Sequence, residues 1–206
     1  MKVPILTTIV VVCIVEFASP VRAQVAPDPV DFRPFADGRH WIVKEPLIYR
    51  VGISKDSVTV PRGFVTDLAS IPPVLQSLIQ QNGAYLLPAV VHDYLYWKQA
   101  CTREQSDGVL LLAMIENKVS TVHRIAIYEA VRAAGSFAWA DNTRERSAHL
   151  LRIIPENRLG IRANTVWPEY RRQLVQEGAV DGPDMKISKE FCTRGDMDVK
   201  AALETP

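Results

Sequence analysis

Apolar positions change their spacing along the chain, and the change divides it into a strand half and a helix half. Around His40 to Val60 the pattern is short and aromatic or β-branched: "HWIV" (His40–Val43), "PLIYRV" (Pro46–Val51) and the alternating "SVTV" (Ser57–Val60). Three such segments predict a small antiparallel sheet with one covered face. The lead-in over 24–38 has prolines at 27, 29 and 34 and then Asp37-Gly38, which predicts extended chain ending in a turn, and "PRGF" (Pro61–Phe64) predicts another turn. From Leu86 onward apolar residues recur at three and four, which predicts helices over Leu86–Trp97, Arg103–Val119 and Thr121–Trp139. Thr102 with Gln105 fits a capping box at the start of the second.

Beyond Asp141 the pattern loosens. "ERSAHLLRII" (Glu145–Ile154) reads as a further helix, 155–164 as loop, and "PEYRRQLVQEG" as a short helix with Pro168 in its first turn and Gly178 past its end. The rest of the tail is polar and weakly patterned, which predicts a mostly mobile segment pinned at Cys192. The fold class expected is α+β, a small antiparallel sheet followed by a cluster of three or more helices.

Before the strands lies a different kind of segment. Residues 1–23 read as a signal peptide: Lys2, an apolar run from Val3 to Val15, and small residues suited to cleavage after Ala23. The apolar run has 13 residues, contains Pro4 and is closed by Glu16, whereas a membrane span needs about 20. The expectation is a periplasmic or secreted protein with no stable membrane anchor after processing. The expected organisation is then a domain over 31–140 and a C-terminal helical extension and tail over 141–206. Removing Lys2, Arg22 and Glu16 from 24 basic and 23 acidic residues leaves 22 of each. With no net charge and no dense basic run, nucleic acid is excluded as a partner. Cys101 and Cys192 remain, and in an oxidising compartment they can persist as a disulfide or stay as two separate thiols.

The candidate chemistry sits where ionisable residues interrupt apolar sequence. "AVVHDYLYW" (Ala89–Trp97) sets His92 beside Asp93 in the first helix. Their side chains point about 100° apart, flanking one edge of the helix and free to lean toward a common point. Asp107 shares the apolar stripe of the second helix with Leu110, Leu111 and Met114, and a carboxylate there needs a partner. The short connection Gln99–Thr102 makes the two helices antiparallel neighbours and brings Asp107 toward His92 and Asp93. Asp67, in "VPRGFVTDLASIPP" (Val60–Pro73), approaches from the sheet side.

Two functions follow from that cluster. In the first, Asp67, His92, Asp93 and Asp107 are catalytic, His92, Asp93 and Asp107 hold a divalent metal ion, and the protein is a metal-assisted hydrolase of a cell-envelope component. In the second the same residues only stabilise the fold, with Asp93 locking helix to strands through Arg62 or Arg132, and the protein is a non-catalytic binding or structural module. His92 and Asp107 facing an open pocket would favour the first, and full burial with Arg62 or Arg132 paired to them the second. Ser70 with His92 lacks the GxSxG turn of a nucleophilic triad, and His123 is most simply a surface or cap residue.

"VPRGFVTDLASIPP", "AVVHDYLYW", "TREQSD" and "AVRAAG", in that order, resemble the bacterial and phage family known as domain of unknown function 1353 over about residues 31–140. The resemblance implies a small α+β domain without an assigned activity and a phage ancestry for the module reading. Its motif positions fall on Gly63, Phe64, Thr66, Asp67, Ser70, Pro72, His92, Asp93, Tyr96, Arg103 and Asp107. The signal sequence and the tail depart from the family pattern and imply a secreted or periplasmic derivative. The adjacent histidine and aspartate are also similar to those of metal-dependent phosphohydrolases, but the further histidine such enzymes take from an earlier helix is missing, since His40 lies among the strands.

Overall fold

The computed structural model describes residues 31–68, 84–183 and 185–204. The predicted signal peptide with Cys13, and Ser70, Pro72 and Pro73, lie outside the described residues. The architecture is α+β, with strands over Phe32–Thr66 followed by helices over Leu86–Glu204. The strands are β1 (Phe32–Pro34), β2 (Trp41–Val43), β3 (Leu47–Arg50), β4 (Ser57–Val60) and β5 (Val65–Thr66).

The three strands expected from the pattern form, but they do not share a sheet. β1-β2-β5 make one antiparallel sheet and β3-β4 a second, with Trp41 opposite Thr66 and Leu47 opposite Val60. The reason lies at "PRGF". Gly63 takes φ 87°, a conformation that suits glycine, and the chain doubles back so that Gly63 N–H donates to Val43 and Val43 N–H to Phe64. That fills the edge of β2 on which β3 would otherwise pair.

The helices are α1 (Leu86–Lys98), α2 (Arg103–Glu116), α3 (Thr121–Ser147), α4 (Trp167–Gln176), α5 (Lys189–Thr193) and α6 (Val199–Glu204). α1 is buried on all sides from Leu87 to Trp97, the signature of a central helix. α2 starts at the predicted capping box, with both reciprocal bonds present, and ends three residues before Val119, at a turn where Lys118 adopts φ 58°. α3 runs past Trp139 to Ser147 because no glycine or proline interrupts it there and Arg144 and Arg146 suit its C-terminal carbonyls.

The further helix expected over Glu145–Ile154 is therefore divided. Its first residues finish α3, His149 turns with φ 54°, and Leu151–Ile154 returns to the strands without helical structure. Ile153 bridges Phe64, and Val65 N–H donates to Arg152. Leu151, Ile153 and Ile154 are thereby buried. α4 forms as expected, with Pro168 in its first turn and Gly178 at φ 73° beyond it.

The tail is docked rather than mobile. Phe191, Cys192 and Ala202 join the main core, and Met185, Ile187, Met197, Val199 and Leu203 pack against it. These apolar residues are too scattered to register as a period, yet each meets a buried neighbour. Cys101 and Cys192 form a disulfide with Cα atoms 5.2 Å apart. Beside it Gly108 of α2 and Gly195 press backbone to backbone, and a Cβ on either would collide with main-chain atoms. Asp181 accepts hydrogen bonds from the Trp97 indole and from the backbone N–H groups of Arg152 and Ile153. Among the described residues no helix is long and apolar enough to cross a membrane.

The glycine contact gives a direct check. Gly108→Ala should cost about 1–3 kcal/mol in urea denaturation as an overpacking change. Gly160→Ala, where a Cβ meets nothing, should stay within about 0.5 kcal/mol.

Candidate functional site

α1 and α2 place two polar side chains of the sequence-predicted cluster, His92 and Asp107, at their junction, and α3 crosses above them. Asp107 is fully buried, and its two oxygens are surrounded by donors. The Tyr96 hydroxyl donates to Oδ1 at 2.6 Å, His92 Nε2 lies 3.0 Å from the same oxygen, and Arg103 donates to Oδ2 at 3.1 Å. Arg132 of α3 comes within 3.8 Å. With so many donors the carboxylate is the acceptor, which fixes the proton of neutral His92 on Nε2 and leaves Nδ1 with a lone pair. His92 Nδ1 is buried and has no hydrogen-bond partner.

Tyr96 supports this arrangement from its side. Its ring packs on His92 with centroids 4.1 Å apart, and burial followed by the Asp107 charge pushes its pKa up, so it stays a protonated donor. Gly135 of α3 lies against the Tyr96 hydroxyl, where a Cβ would come within 2.5 Å. The glycine that ends "AVRAAG" thus lets α3 approach without breaking the bond to Asp107.

Asp93 faces another way. It is nearly buried and accepts a hydrogen bond from the Thr66 hydroxyl of β5, while Thr66 Oγ1 accepts one from Leu68 N–H at 2.9 Å. The helix-to-strand lock expected at Asp93 is therefore made through Thr66; Arg62 pairs with Glu156 instead. Asp67, in the turn after β5, meets Arg152 at 3.7 Å. The following residue, Leu68, holds φ 59°, a conformation that costs a branched side chain energy. His123 lies in the first turn of α3, its Nδ1 2.9 Å from Oγ of the N-cap residue Ser120.

Asp67, His92, Asp93 and Tyr96 all line one cavity of about 380 Å³; Asp107 stands behind its wall. The cavity was legible only in part. Tyr85, just before α1, is buried with an unpartnered hydroxyl, and Asn142, Glu145 and Arg152 come from beyond the strong motifs. Tyr85 could have been found from its place two turns before the histidine-aspartate pair. Nothing local marks the other three, which arrive by the length of α3 and the return of the chain to β5. Among the described residues no group of three or more His, Cys, Asp or Glu is placed to hold a metal ion.

Asp107→Asn should destabilise the protein by about 3 kcal/mol, because buried cationic and hydroxyl donors lose their shared anion. Urea denaturation beside Asp141→Asn, an exposed pair with Arg144 expected to matter by under about 1 kcal/mol, checks this. Glu145 titrates below its ordinary value: burial raises its pKa, but the Arg171 hydrogen bond and charge outweigh that. A depressed folded pKa adds stability above the unfolded value, and that stability is lost as pH falls through the folded one. The stability gap between the native protein and Glu145→Gln should therefore be constant near neutrality and shrink below about pH 4.5, as read from denaturation midpoints across pH.

No curated protein and no solved structure matches the chain. Residues 41–131 match the family described as Protein of unknown function (DUF1353). That stretch contains Asp67, His92, Asp93 and Asp107, together with the turn at Gly63 and α1 and α2 entire. It stops short of Gly135, Asn142, Glu145 and Arg152. By this match residues 41–131 are the part of the chain assigned to the domain of unknown function 1353 family.

Proposed function

We propose that the protein is an exported hydrolase in which His92, oriented by Asp107, is the general base, acting on a component of the cell envelope. The observation that carries the reading is a buried imidazole on a cavity wall, anchored through Nε2 to Asp107 at 3.0 Å, with Nδ1 unpartnered. Nδ1 is closed to solvent in this structure; once a shift of the wall admits water to it, the imidazole takes a proton from that water as the water oxygen attacks a carbonyl carbon. The Asp107 charge stabilises the imidazolium that forms, and the same proton passes to the leaving oxygen or nitrogen as its bond to carbon breaks. Asp107 acts through His92 and is a positioning residue, since its oxygens already receive Tyr96 and Arg103. The apolar leader and the Cys101–Cys192 disulfide support an oxidising compartment.

The non-catalytic reading draws on the complete burial of Asp107 and the nearness of Arg132. In it the cluster only ties three helices together. Turnover separates the two. Hydrolysis of p-nitrophenyl esters and aminoacyl amides by the native protein should fall at least about 100-fold in His92→Ala, with the near-ultraviolet circular dichroism unchanged. Turnover that survives in His92→Ala removes the base from the mechanism. No turnover on any of these substrates, with His92→Ala merely less stable, selects the binding module.

A further inference from the structure

A second histidine reaches the same cavity. In sequence His40 lies among the strands, remote from the histidine-aspartate pair of α1. The pairing of β2 with β5 sets Trp41 opposite Thr66, and one step further along that register brings His40 level with Asp67. Thr66 is also the residue that binds Asp93 of α1. The strand pair thus carries His40 to the space walled by α1, and both imidazoles line it.

The two rings are held alike and differ in access. His92 is anchored through Nε2 to Asp107, and His40 through Nδ1 to the Asp37 carboxylate at 3.1 Å. Asp37 is fixed in turn by the backbone N–H groups of Arg39, His40 and Trp167. Burial raises its pKa, but those bonds and the one to the His40 ring outweigh it and leave it below its ordinary value. An anion therefore faces the ring. The His40 side chain is 20 % exposed, against 4 % for His92. Its other nitrogen, Nε2, has no hydrogen-bond partner among the described residues and, unlike His92 Nδ1, is not shut off from solvent.

Closing the Asp37 turn and tying the start of α4 account for Asp37 by themselves, but they make no use of an open ring nitrogen on a cavity wall. Hydrolysis does. It moves two protons, one off the attacking water and one onto the leaving atom. Only water has to reach His92, whereas His40 is met by a larger group without movement of the wall. When the His40 ring carries both protons, Nδ1–H pairs with Asp37 and Nε2–H remains to be given.

We propose that His40 is the general acid of this cavity and gives its Nε2 proton to the leaving oxygen or nitrogen. This deepens the hydrolase reading and rests on it for the base step; the second proton transfer moves from His92 to His40. His92 gains the proton of the attacking water. The bond from the carbonyl carbon to the leaving atom then breaks, and that atom keeps the bonding pair and takes the His40 proton. Solvent removes the proton from His92 and restores the one on His40, so the net change is addition of one water across the bond. The substrate class is an amide or alkyl ester, whose leaving atom departs only with a proton.

A leaving-group comparison on the full chain tests the assignment. In His40→Gln, turnover of an aminoacyl amide should fall at least about 100-fold, while the p-nitrophenyl ester of the same acyl group, whose oxygen leaves as the anion, should stay within about threefold of native. Glutamine keeps a hydrogen-bonding side chain but transfers no proton, and the ratio of the two rates does not depend on how much of the variant is folded. If both substrates fall alike in His40→Gln, or neither falls, the acid is overturned, and the base stands if His92→Ala abolishes both. No turnover of either substrate by the native protein overturns the hydrolase reading and the acid with it. Access to Nε2 is read without turnover: brief treatment of the native protein with diethyl pyrocarbonate should modify His40 before His92 in peptide mapping, and the reverse order also overturns the proposal.

Discussion

A carboxylate without exposure to solvent, Asp107, holds the site together, and most of the surrounding sequence is explained by its needs. An ionised oxygen pair in that position is tolerable only if several donors converge on it. Tyr96 and His92 come from α1, Arg103 from one turn earlier on α2, and Arg132 from α3. Satisfying one charge therefore sets the relative placement of three helices. It also fixes a tautomer, because an acceptor at Nε2 decides which nitrogen of His92 keeps a lone pair. The bond that stabilises the junction is the one that fixes this tautomer.

Around that centre the polar contacts divide by direction. Asp93, adjacent in sequence to His92, turns to the strands and is received by Thr66, whose oxygen in turn receives Leu68 N–H. The histidine-aspartate pair thus works as a hinge pin between two layers, one residue facing each. The strained backbone at Leu68 lies in this same connection, so the turn that delivers Asp67 to the cavity is held by side-chain bonds rather than by its own preference.

The legible parts of the fold were those with local causes. The capping box at Thr102 and Gln105, the glycine after α4 and the antiparallel placement of α1 and α2 depend on a few neighbouring residues and were readable from them. The approach of Asp107 to His92 followed from a short connection and a helical period. What escaped depends on distant partners. The edge of β2 could go to β3 or to β5, and only the reversal at Gly63 and the arrival of Ile153 decide between them. The tail lacks periodicity because each of its apolar residues meets a separate hollow of the core. The expectation of a lock through Arg62 or Arg132 at Asp93 failed because a hydroxyl already in the adjacent strand reaches the carboxylate first.

The clamp at Asp181 has a consequence for where the independent folding unit ends. Trp97 is buried in α1, inside the stretch that defines the family, yet its indole N–H is satisfied by a residue 84 positions later, and Arg152 and Arg171 lie over its ring. An excised 41–131 segment would present that ring and an unmatched N–H to water, together with the thiol of Cys101 and the bare backbone of Gly108. A continuation after residue 131 must therefore supply a cover for α1 before the shared segment can hold its shape. In this chain the stretch that matches the family model is shorter than the set of residues that encloses Trp97.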